Sequence, residues 1–174
     1  MIQKYHISLR VIHWLMALII ISLLASGIYM TTLTNQPFRP TFYNLHKSFG
    51  VIVIFLFTLR IISKIKHKAP KLPKTINRNI QKLAHGTHHL IYLLMITIPL
   101  SGYLMSNSYG YAVKLFGTKL PNLVEKNYQL AGLFSNIHQY AAYFLIFLLI
   151  LHIGAVIKHR FFEAKENDIL PRML

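Results

Sequence analysis

Four histidines have the residue type and the spacing for redox chemistry. His138 and His152 lie in the apolar stretch NIHQYAAYFLIFLLILHIG, His13 in VIHWLMALII and His46 in FYNLHKSFGVIVI. Fourteen residues on a helix rise by about 21 Å and turn to within about 40° of the starting direction. His138 and His152 would therefore face one way, each near a different side of an apolar layer about 30 Å thick. Ionisable groups at that depth are costly, which makes them functional candidates. Two neutral imidazoles facing each other across a helical bundle make a bis-histidine haem site, where the axial ligands and burial tune the iron. Zinc is the weaker choice, because no cysteine or carboxylate lies at that depth to complete its coordination sphere.

The elements that must hold these rings are four apolar segments, about 11–30, 42–62, 88–105 and 136–158. Each is near the ~20 residues that a spanning helix needs. With 54% hydrophobic residues, the 174-residue chain reads as one domain over 1–174. The expected fold is an all-α membrane protein, a four-transmembrane-helix up-down bundle. Pro99 falls inside the third segment, where a membrane helix tolerates it with a kink. The first segment carries Ala25-Ser26-Gly27, the small residues of a cleavage site, but it is too long for a signal-peptide core and reads as a retained helix. The connection 106–135 is broken by Gly and Pro and reads as a loop or short helix lying against one face.

A net charge of +15 invites a nucleic-acid partner, but its placement argues against one. Lys and Arg are nearly absent from the apolar segments and crowd the connections. Fourteen of the 19 lie in the N-terminal stretch, in the link 60–82 and in the C-terminal stretch; the other five are Arg39, Lys47, Lys114, Lys119 and Lys126. The positive-inside rule then puts both termini in the cytoplasm, with the basic link over anionic lipid heads. That orientation pairs His46 with His138 at the outer side and His13 with His152 at the inner side. The absence of cysteine excludes disulfides, iron–sulfur clusters and covalent haem attachment. Only four residues are acidic and none is in an apolar segment, which argues against a proton-relaying pump.

Neighbouring residues fit the same picture, each with a plainer alternative. Trp14 packs on a haem beside His13 or anchors the interface. Gly27 and Gly50 let a flat macrocycle approach the backbone, or serve close helix packing. His159 is seven residues beyond His152 on roughly the same face, within reach of the inner haem's edge or a quinone headgroup, or is an interfacial histidine beside Lys158 and Arg160. One of His85, His88 and His89 competes with His13 as a ligand; otherwise all three sit among headgroups. His6 and His67 read as solvated flanking residues.

Taken together, these residues resemble the bacterial cytochrome b561 family. The resemblance rests on IHW at 12–14, the H-x-S-x-G of His46, Ser48 and Gly50, Arg60 closing the second segment, and LAH followed by His88. It continues through IYLL, Pro99 with Gly102, FG…LP at 116–121, the spacing of His138, His152 and His159, and ILPRML near the C-terminus. It covers nearly the whole chain.

The resemblance implies two non-covalent b haems, a bacterial inner-membrane location and ubiquinone as electron acceptor. The family's superoxide-oxidising branch implies a superoxide:ubiquinone oxidoreductase, an enzyme that returns superoxide to dioxygen. Other members are haem subunits carrying electrons from a hydrogenase or dehydrogenase partner protein to the quinone pool. Four spans without a large docking domain favour the enzyme. On that reading Lys47 and Lys119 steer an anion to the outer haem, although Lys47 could simply snorkel to headgroups. Arg10 and His159 would then meet the quinone at the inner end. A channel or transporter is the third, non-redox reading.

Overall fold

The structure is a computed structural model and describes residues 3–33, 37–70, 73 and 75–174. Lys71 and Lys74 of the basic link lie outside these residues. Four long helices dominate: α1 (Ile7–Thr32), α2 (Arg39–Lys66), α3 (Arg78–Ser108) and α4 (Tyr128–Phe161). All four are long and apolar enough to cross a membrane. The protein is a four-helix transmembrane bundle, as its apolar segments require.

Every helix runs beyond the apolar segment that predicts it, because hydropathy marks only the lipid core and helix caps lie outside it. Asn77 starts α3 by accepting from the Asn79 N–H at 2.8 Å, and Asn127 starts α4 by accepting from Gln129 and Leu130. Such side-chain caps satisfy donors that a helix end leaves unpaired. Pro99 stays inside α3.

Packing follows chain order: α1 lies on α2, α2 on α3, and α3 on α4. A single apolar cluster draws on all four helices through Met16, Val53, Leu56, Phe57, Leu94, Met95, Leu145 and Leu148. Leu145 lies seven residues from both His138 and His152, so this core sits between the two histidine levels. Large apolar side chains such as Leu18, Phe55, Leu93 and Ile150 point outward, where lipid replaces a protein core.

The connection after α3 is not a short helix. It folds into a two-stranded antiparallel hairpin, β1 (Lys114–Leu115) and β2 (Thr118–Lys119), with Lys114 opposite Lys119. Phe116 and Gly117 both have positive φ, 47° and 99°, as a tight type I′ loop demands. Tyr103 donates to the Pro121 carbonyl at 2.6 Å, and Asn107 accepts from the Leu123 N–H at 2.9 Å, which ties the connection to α3.

After α4 the chain returns across the opposite end. Thr75 donates to Asn167, Tyr5 donates its N–H to the Arg172 carbonyl at 3.0 Å, and Trp14 donates Nε1–H to the Met173 carbonyl at 2.9 Å. The two ends of the bundle are thus a hairpin end and a tail end.

Candidate functional site

The structure brings the four histidines together in two pairs. At the hairpin end the ring centres of His46 and His138 are 6.3 Å apart, with planes inclined by 71°. At the tail end those of His13 and His152 are 6.2 Å apart, also at 71°. A metal–imidazole bond of about 2.0 Å, with about 1.1 Å from nitrogen to ring centre, places two axial imidazoles on one iron with centres about 6 Å apart. Both pairs have the spacing of a bis-histidine iron site.

The hydrogen bonds at the hairpin end support the same fit. His138 Nδ1 is 2.8 Å from the Ile98 carbonyl oxygen. A carbonyl can only accept, so Nδ1 carries the proton and Nε2 keeps its lone pair. His46 Nδ1 lies 3.1 Å from Ser26 Oγ, and Ser26 spends its own proton on the Leu23 carbonyl. Ser26 therefore accepts from Nδ1–H, and His46 too presents a free Nε2. A second hydrogen bond of this kind fixes the tautomer and the ring plane of a metal-binding histidine.

Glycine makes room for both rings. A Cβ on Gly102 would stand 2.8 Å from His138 Cε1 and 2.9 Å from its Nδ1. A Cβ on Gly27 would be 3.3 Å from His46 Cε1. Of the two roles expected of Gly27, this contact fits close packing: it makes room for an imidazole of the neighbouring helix. A Cβ on Gly50 would meet nothing within 4 Å, so open space adjoins it.

The tail end holds more than its pair. His88 packs edge-on against His152, with ring centres 5.3 Å apart, and Trp14 does the same to His13 at 5.5 Å. Arg60 donates to the Leu9 carbonyl at 3.0 Å. Of the three histidines that open the third segment, only the family resemblance picked out His88; the spacing of the three gave no ground to prefer it.

Arg10 lines a groove of about 450 Å³ with Ile7, Val11, Trp14, Met173 and Leu174, and its buried Nε has no hydrogen-bond partner among the described residues. His159 is buried. Its Nδ1 lies 2.8 Å from a carboxylate oxygen of Glu163, which also accepts from Asn167 at 3.0 Å. The His159 bond, first, holds the Glu163 carboxyl below its ordinary range. His6 and His67 are not separately solvated: their rings stack 3.5 Å apart. Lys47 sits 5.6 Å over the Tyr111 ring, and Lys119 is exposed on the hairpin.

Residues 4–174 match the family model for prokaryotic cytochrome b561. The chain belongs to that family. Among curated relatives it is 27% identical to cytochrome b561 homolog 2 of Escherichia coli strain K12, over 99% of this chain and 92% of the relative. It is 28% identical to the probable superoxide oxidase CybB of Yersinia pestis, over 98% and 96%. Cytochrome b561 homolog 1 of Escherichia coli strain K12 is 27% identical over 78% of this chain. Family and fold together make this a multi-pass bacterial membrane protein of electron transfer, and the family implies b-type haem. The paired imidazoles are a donor set that fits such a haem.

Proposed function

We propose that this protein is a di-haem superoxide:quinone oxidoreductase. The observation that carries the di-haem reading is the pair of imidazole couples at 6.3 and 6.2 Å, stacked along one helix with an apolar core between them. His46 and His138 hold one haem b, and His13 and His152 the other. Bound haem b supplies a one-electron carrier at each level. Each pair would hold its haem through the two imidazole nitrogens that face each other, so the protein would supply both nitrogen donors at each level.

The distribution of Lys and Arg puts the tail end in the cytoplasm and the hairpin end outside. Superoxide is an anion that crosses bilayers poorly, so the outer end is where it can be intercepted. Lys47 and Lys119 attract it electrostatically. Two superoxide ions each lose one electron and leave as dioxygen. The two electrons, with two protons, convert one quinone to its quinol. At the tail end Arg10, whose Nε has no partner among the described residues, offers a hydrogen-bond donor to a quinone carbonyl oxygen, and His159, whose Nδ1–H is held by Glu163, is a second contact for the headgroup. The name of the Yersinia pestis relative supports the superoxide assignment, and on this reading ubiquinone is the acceptor.

Stopped-flow mixing of the oxidised, haem-loaded protein with superoxide tests this. The haems should be reduced faster than superoxide dismutates, and more slowly at high salt, because exposed charges are screened beyond about 8 Å at physiological ionic strength. Reduction no faster than dismutation would remove the enzyme and leave an electron carrier serving a dehydrogenase.

A further inference from the structure

Lys114 and Lys119 are direct cross-strand partners, so their side chains share one face of the hairpin. Like charges placed opposite each other destabilise a strand pair. None of the ion pairs among the described residues involves either lysine. The loop between the strands is unusual as well. A type I′ loop favours Asn-Gly, yet Phe116 occupies the first left-handed position, with φ 47°.

What holds this unfavourable hairpin is α2. Ser48 is 2% exposed. Its Oγ lies 2.9 Å from the Lys114 carbonyl and 2.9 Å from the Asn44 carbonyl, one proton being shared between two acceptors. The same oxygen accepts the Phe116 N–H at 3.1 Å. Next in sequence, Phe49 packs edge to face against the Phe116 ring, with centres 5.5 Å apart. Lys47 reaches the Tyr111 ring of the same connection. Four consecutive residues of α2 therefore provide an imidazole of the outer pair, a cation, a buried tether and an aromatic clamp.

We propose that Ser48 is a positioning residue that, with Phe49, fixes the paired lysines Lys114 and Lys119 beside the His46/His138 level as an entry surface for a small oxyanion. A bound or passing anion relieves the lysine repulsion, and the tether keeps that relief close to the imidazole pair. This deepens the superoxide reading and rests on it only for the identity of the anion.

The test uses the full-length, haem-loaded protein with two anionic reductants, superoxide and dithionite (acting as its sulfur dioxide radical anion), and with a neutral quinol, each over a range of salt. The double variant Lys114→Gln/Lys119→Gln defines the lysine-dependent part of each anionic rate. Ser48→Ala should keep both haems and an unchanged spectrum, and lose that same part, about tenfold at low salt, the lower end of gains from steering. Its quinol rate should not change. Added to the double lysine variant, Ser48→Ala should cost nothing further.

Wild-type salt dependence in Ser48→Ala, or a further loss on top of the lysine variant, overturns the proposal. Should Ser48→Ala fail to retain both haems, Phe49→Leu is read by the same criteria. If superoxide does not react with the native protein while the dithionite pattern holds, the superoxide reading falls and the positioning role stands.

Discussion

At the scale of the residue, the hairpin-end pair depends on groups that are not ligands. Gly102 is the sharpest case, since any side chain there collides with His138. Overpacking of this kind costs about 1–3 kcal/mol and moves the flexible partner, here the imidazole. Gly102→Ala should therefore lose the haem proposed for His46 and His138 while keeping the other, read as a halving of haem per protein. Retention of both haems with unaltered spectra would show that the ring has room to shift.

The four histidines were legible in the sequence because helical periodicity and the basic asymmetry set both their face and their depth. Their supports were not. Gly102 entered only through the family resemblance, and its role, like those of Ser26 and the Ile98 carbonyl, is exerted across helices, where contact leaves no mark on local spacing. Gly27 was noticed, but not the imidazole it faces.

At the scale of the element, the helices were legible to their apolar lengths and no further. Asn77 and Asn127 are the signals that extend α3 and α4, and they lie outside any hydropathy window. The hairpin was illegible because Phe-Gly is a poor type I′ sequence, stabilised by Ser48 and Phe49 on another element. Glu163, which joins His159 and Asn167, is one fastening of the chain after α4, beside those of Thr75, Tyr5 and Trp14.

That fastening has a pH dependence of definite sign. The Glu163 carboxyl is held below its ordinary 4.5 by the His159 hydrogen bond, then by Asn167 and Lys158. A depressed carboxylate stabilises the folded state above the unfolded value, and the contribution disappears as pH falls through the folded one. The chain has no native cysteine, so a spin label at Glu166→Cys reports this segment alone. Its spectrum should stay constant from neutral pH down to 4.5 and become mobile only below, whereas Glu163→Gln should mobilise it at neutral pH. Mobilisation of the native segment well above 4.5 would contradict the assignment.

At the scale of the whole molecule, one helix carries both levels. α4 supplies His138 and His152, and α2 and α1 supply their partners from opposite ends of the bundle. The packing that follows chain order leaves α4 meeting α1 and α2 through these imidazoles, with no extensive backbone approach between them among the described residues. The apolar core at mid-depth holds the two levels apart and excludes water from the space between. Such an arrangement suits electrons that enter at one face and leave at the other.

The central claim is that each imidazole pair binds its own haem, and the direct measurement is haem per protein with the reduced-minus-oxidised spectrum in native protein, His46→Ala and His152→Ala. The account predicts two b haems in the native protein and one in each variant, with the two residual spectra different from each other. A single haem in the native protein, or the same residual spectrum in both variants, would contradict it.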